Sequence, residues 1–138
     1  MEKLLLIAHF ILIALGTGMS FTNFVNVRLA QAQSGDIAKG LALQRRTMAK
    51  IADAVIALIW VSGLALMWTA APETSGWFHA KVGFVVLLTV SHIMARRTGV
   101  AFTRSGNAAL LSRLELYAAG VWLSALAAIL FAVIAFES

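Results

Sequence analysis

Four apolar runs, Leu4–Phe24, Ile51–Ala71, Trp77–Ala95 and Leu114–Phe136, occupy more than half of this chain and constrain it more than any other feature. Each is close to the ~20 residues that cross a ~30 Å hydrocarbon layer. In lipid a backbone cannot leave its N–H and C=O groups unpaired, and outside a closed barrel only a helix pairs them within itself. None of the runs alternates with a strand's period of two. The reading is therefore all-α: an integral membrane four-helix bundle of four transmembrane spans, a single domain over residues 1–138. With 61% of residues hydrophobic and 12% charged, and with short connections, there is no room for a second, water-soluble domain. The first run is read as a true span and not a cleaved leader. No small-x-small site follows it, and Phe21, Phe24 and Val25 carry the apolar character onward.

The basic residues give the spans a direction. Arg28, Lys39, Arg45, Arg46 and Lys50 lie between spans one and two, and Arg96, Arg97, Arg104 and Arg113 between spans three and four. Nine of the eleven lysines and arginines thus fall on one side, leaving Lys3 and Lys81 on the other. The positive-inside rule places both basic loops in the cytoplasm and both termini outside, as expected for a multi-pass protein of a bacterial inner membrane. The net charge of +5 is a topology signal, and its division between two loops argues against nucleic acid as a partner. Membrane lipids, with their anionic headgroups, are the expected neighbours.

The first loop contains a turn at Ser34-Gly35-Asp36, followed by Ile37, Leu41 and Leu43 among Lys39, Arg45 and Arg46. That pattern predicts an amphipathic approach to span two along the membrane surface. Pro72–Gly76 predicts a short turn with Trp77 as interfacial anchor, and Arg104–Asn107 a break before span four. Gly16-x-x-x-Ser20, Gly18-x-x-x-Thr22 and Gly120-x-x-x-Ser124 let helices approach closely, either within the chain or in a dimer. The chain has no cysteine, which excludes disulfides, thiolate metal sites and covalent haem attachment.

Ionisable groups within the spans are costly in a bilayer and are the candidate site residues. His9 lies ~7 Å below the outer boundary and Lys81 ~6 Å below it, with His79 between Trp77 and Lys81, so the three can meet at one level. Nearer the cytoplasm are Asp53 and His92, with Arg28, Arg46 and Glu115 at the inner boundary. Lys81 and His92 are eleven residues apart, about three helical turns, and share a stripe with Val85 and Leu88. His79 points away from that stripe. A neutral imidazole is a good axial ligand for haem iron, and two helices at one depth can clamp a porphyrin. Lys81 and Arg28 would pair with its propionates, and His79 would contact the macrocycle. Plainer readings stand beside this one: His79 as an interhelical hydrogen-bond donor, Lys81 snorkelling to the interface, and Asp53 with His92 as a structural polar pair.

Trp77-Phe78-His79-Ala80-Lys81, with the apolar run to Ser91-His92, resembles the third span of the HemJ-type protoporphyrinogen oxidases. Arg45-Arg46 through Trp60-Val61-Ser62-Gly63 is similar in spacing to their second span, and His9 falls where they place a histidine in the first. The resemblance covers about half the chain. It implies a four-helix membrane bundle that oxidises protoporphyrinogen IX with b-type haem, with His9 as iron ligand, Lys81 as the essential basic group and His92 within the motif. The chain departs from that family in span one, where Gly16-Thr17-Gly18-Met19-Ser20 replaces a tryptophan and a proline-arginine pair. It departs again at span four, where Arg113-Leu114-Glu115 lacks the expected asparagine and proline. Its glycine-rich first span, Ser34-Gly35-Asp36 and Asp53 are also similar to an uncharacterised bacterial membrane family of the DUF2269 type.

Two function classes follow. The first is a haem-b oxidoreductase acting on a tetrapyrrole and passing electrons to a quinone or another membrane carrier. In it His9 ligates iron, Lys81 pairs with a carboxylate, and His92 with Asp53 passes protons inward. The second is a non-enzymatic scaffold or accessory subunit, in a homo-oligomer or a larger membrane complex. A copper-handling protein is a weaker third option, since Met19, Met48, Met67 and Met94 form no evident cluster.

Overall fold

Each apolar run becomes a helix longer than lipid alone requires. The computed structural model describes the backbone of residues 2–70 and 76–137, and these form α1 (Glu2–Gln31), α2 (Gly35–Ala70), α3 (Gly76–Ser105) and α4 (Ala109–Glu137). All four are long and apolar enough to cross a membrane, and no strand occurs among the described residues. At 36 residues α2 is the longest, ~54 Å against a ~30 Å hydrocarbon layer. The amphipathic approach expected along the membrane surface is instead the first turns of α2 itself. Residues 37–50 contain good helix formers and only one weak point, Gly40, so the intrahelical ladder continues without a bend into the span.

The turns form where the sequence predicts a break. Gly35 takes φ 61° at the start of α2, and Gly106 takes φ 64° after α3, a conformation that costs a Cβ-bearing residue steric strain. The Gly106 amide closes α3 by donating to the Phe102 carbonyl at 2.9 Å. Asn107 then caps α4, its Oδ1 accepting the Ala109 amide at 3.0 Å. Of the remaining turn, Pro72 to Ser75 lie outside the described residues, as does the Trp77 side chain proposed as an anchor.

The helices run alternately up and down. α1 packs against α2 and α4, and α3 against α4, while the backbones of α2 and α3 stay apart. Large side chains point outward and small ones inward. On α4, Leu116, Leu123, Leu126 and Leu130 are exposed, whereas Ala118, Ala125, Ala128 and Ala132 are buried. Lipid tails are as apolar as leucine, so helix association depends on close van der Waals approach and not on hiding apolar surface. A Cβ on Gly120 would come within 3.1 Å of Ser91 Oγ, and one on Gly16 within 3.3 Å of Val55 Cγ1. These two glycines are therefore used inside the chain; Gly18 meets nothing within 4 Å. Trp122 fills the α1–α4 seam, stacking on Phe24 with centroids 5.9 Å apart and planes 9° from parallel.

Two ends of the bundle are thereby distinguished. The terminal end carries the start of α1, the end of α2, the start of α3 and the end of α4. The loop end carries the α1–α2 and α3–α4 turns and most of the basic residues.

Candidate functional site

Because α2 and α3 stand apart, the bundle contains a cavity of about 1660 Å³, walled by all four helices. Its wall is mostly apolar, and among the described residues every charged one in it is basic. Lys3 and Lys81 lie toward the terminal end, and Arg45, Arg46, Lys50, Arg96 and Arg104 toward the loop end. His9, His79 and His92 all border it.

His9 is the most constrained of these groups. It is buried, and its Nδ1 lies 2.7 Å from Ser62 Oγ. Ser62 Oγ also lies 2.6 Å from the Leu58 carbonyl and 3.2 Å from the Ile59 carbonyl. With the serine hydrogen on one of these carbonyls, Ser62 accepts from His9, and the neutral ring carries its proton on Nδ1 and a lone pair on Nε2. Nε2 has no hydrogen-bond partner among the described residues. No enclosed polar side-chain atom there goes unpaired, so this nitrogen opens onto the cavity. Gly63 makes room for the ring: a Cβ there would sit 3.3 Å from His9 Cε1.

Lys81 and His9 border the same end of the cavity, and the Lys81 ammonium is within electrostatic range of the ring. Among the described residues no carboxylate pairs with Lys81. The predicted stripe holds together, since Lys81, Val85, Leu88 and His92 all line the cavity. His79 is exposed and borders the cavity at its rim, its ring edge-on to Phe78 at 6.0 Å.

Asp53 organises the other polar group. Its Oδ1 lies 2.7 Å from His92 Nε2 and its Oδ2 3.0 Å from Arg96, one turn further along α3. One carboxylate thus ties α2 to two side chains of α3 across the gap. Trp60 adds a second tie, its Nε1 donating to Thr89 Oγ1 at 3.0 Å. Arg28 is not brought to the cavity. It is exposed at the loop end, paired through Nε with Glu115 at 3.1 Å and resting 5.8 Å from the Phe24 ring centroid.

Among the described residues no three histidine, aspartate or glutamate side chains converge as a metal cage. A haem iron makes a smaller demand, because its macrocycle supplies four ligands and the protein one or two. The chemistry available is then one buried imidazole, a lysine at the same end of the cavity, and mostly apolar walls. No family model, curated protein or solved structure matches the chain. Function must therefore be argued from the residues. Ser62 and Gly63 are the site residues that sequence reasoning missed. Their signal was a hydroxyl beside a glycine within an apolar run, which reads equally well as ordinary helix packing.

Proposed function

We propose that this protein is a haem-b-binding membrane oxidoreductase acting on a tetrapyrrole, similar in chemistry to the protoporphyrinogen IX oxidases. The observation that carries the reading is the 2.7 Å contact of His9 Nδ1 with Ser62 Oγ, which leaves Nε2 to the cavity. With Nδ1–H donated to Ser62, the Nε2 lone pair would be free for iron, the arrangement metal-ligating histidines use. Gly63 leaves space beside that ring, and Lys81 supplies a cation for a propionate or a substrate carboxylate. Bound haem would supply one-electron transfer, with a quinone or another membrane carrier as acceptor. His92, with Nε2 on Asp53, would hold or pass a proton toward the loop end. His79, at the rim, would border the substrate's entry. By the positive-inside rule the loop end faces the cytoplasm of a bacterial inner membrane and both termini lie outside.

The deciding experiment is the absorption spectrum of the detergent-purified protein, oxidised and reduced, after expression with ample haem. A Soret band lost in His9→Ala supports the assignment; a parent without any Soret band overturns it. Enzymatic activity is tested separately, by rescue of a strain lacking its protoporphyrinogen oxidase. A second reading, an accessory subunit of a larger complex, is favoured by Gly18 of α1, where among the described residues nothing lies within 4 Å of an added Cβ. Haem binding without rescue would favour it.

A further inference from the structure

The basic residues at the loop end of the cavity take no part in the haem reading, and their grouping is unusual. Arg45, Arg46 and Lys50 of α2 and Arg96 and Arg104 of α3 border an apolar interior whose lining includes no aspartate or glutamate among the described residues. Two of the five have partners: Arg45 donates to Asn26 Oδ1 at 3.1 Å, and Arg96 pairs with Asp53. Among the described residues no carboxylate lies within ion-pair distance of Arg46, Lys50 or Arg104. Antiparallel register sets Arg46 and Arg104 at similar depth. Asp53 meets His92 and Arg96, and Trp60 meets Thr89, so seven residues beyond Asp53 the Arg46 position is level with the turn before Arg104, with Lys50 about one turn away along α2. Like charges gathered at the edge of a low-dielectric cavity repel, and an anion there relieves that repulsion.

The interior above them is apolar, bordered by Ile56, Ile59, Val85 and Leu88. Arg46 and Ser62 are sixteen residues apart along α2, or ~24 Å, more than half the thickness of the hydrocarbon layer. The α2 and α3 backbones stay apart along this column, and the side-chain ties between them described above lie at Asp53 and Trp60, on the far side of Lys50 from Arg46. At about 1660 Å³ the cavity also exceeds the ~300–1,000 Å³ of an ordinary single-ligand pocket.

We propose that the loop-end mouth, between α2 and α3, is a binding site for a phosphate-headed anionic lipid. Its headgroup sits against Arg46, Lys50 and Arg104, and its chains enter the apolar cavity. Basic pockets between membrane helices at this depth recognise such headgroups. A neutral quinone has no charge to meet these three cations, and a soluble anion has no use for the apolar column.

Native mass spectrometry of the full-length protein in a neutral detergent tests the site, using dioleoyl phosphatidylglycerol, dioleoyl phosphatidylcholine and chainless glycerol phosphate as probes. The parent should bind the phosphatidylglycerol in preference, with glycerol phosphate failing to displace it. Arg46→Gln with Arg104→Gln should weaken phosphatidylglycerol binding roughly thirtyfold and leave phosphatidylcholine unchanged. Equal binding of both lipids by the parent overturns the proposal. So does displacement by glycerol phosphate at the lipid's own affinity, which marks a soluble-anion site, or a double variant that keeps its selectivity. Helicity by circular dichroism checks that the double variant folds; if it does not, Lys50→Gln carries the same test with a smaller drop. Haem absorbance is not read, so failure of the haem reading leaves this result intact.

Discussion

Ser62 acts on its neighbourhood through a single hydroxyl. By holding His9 Nδ1 at 2.7 Å, it leaves the other imidazole nitrogen to the cavity. Ser62→Ala leaves Nδ1 without its partner in a buried place, at a cost of about 1–3 kcal/mol. We expect thermal unfolding in detergent to shift down accordingly and, on the proposed haem reading, haem retention to fall by roughly 10–100-fold, read by Soret titration. Gly63→Leu tests the space beside the ring. Its Cβ alone would meet His9 Cε1 at 3.3 Å, and a branched side chain beyond that must displace the imidazole. The expected outcome is a helical protein with the Soret band lost or shifted, whereas an unchanged band would show that the ring is not where iron is held. Asp53 and His92 were legible as a candidate pair because both are ionisable and at similar depth. Ser62 was not, since a serine in an apolar helix most often bonds its own backbone, as this one also does.

At the scale of the helix, small residues decide which surfaces touch. Gly120 lets α4 approach Ser91 of α3, and Gly16 lets α1 approach Val55 of α2. Gly120→Leu should overpack the α3–α4 seam and destabilise the bundle by about 1–3 kcal/mol, measured as lowered thermal stability in detergent. Gly18→Leu is the informative contrast. Nothing lies within 4 Å of that position, so the isolated chain should tolerate the change. Loss of a higher-mass species on size exclusion in Gly18→Leu alone would show that another helix covers this face. The three small-x-x-x-small pairs look alike in sequence, and only helix rotation separates the two glycines used internally from the one left open. The long reach of α2 was equally hidden. A stretch of Lys39, Leu41, Leu43, Arg45 and Arg46 has the pattern of a surface helix, but without a breaker after it the ladder runs straight on.

For the molecule as a whole, charge distribution makes a prediction about direction. The chain has no cysteine, so one introduced residue reports its own side of the membrane. In cells, Ser105→Cys at the loop end should resist a membrane-impermeant maleimide until the membrane is opened, and Lys3→Cys should be labelled at once. The reverse pattern would invert the orientation and place the basic mouth outside. The same asymmetry gives the cavity its character: α2 and α3 are tied through side chains, Asp53 with His92 and Arg96 and Trp60 with Thr89, while their backbones stay apart along one seam. An open seam suits a large hydrophobic guest better than a tightly packed bundle would.

The four helices were determined by sequence alone, because a long apolar run in lipid has few other ways to pair its backbone. The expected sidedness also came from sequence, since it rests on counting charges in loops. The Gly35 and Gly106 breaks were legible too, each in a polar cluster next to an otherwise continuous helical stretch. What only the tertiary structure decided was which helices separate and which side chains then face the gap. Hydrophobic patterning cannot tell lipid from neighbour when both are apolar, so it left the rotation of each helix open. The cavity, the removal of Arg28 to Glu115, and the contact of His9 Nδ1 with Ser62 all depend on that rotation, which brings together residues 53 positions apart in sequence.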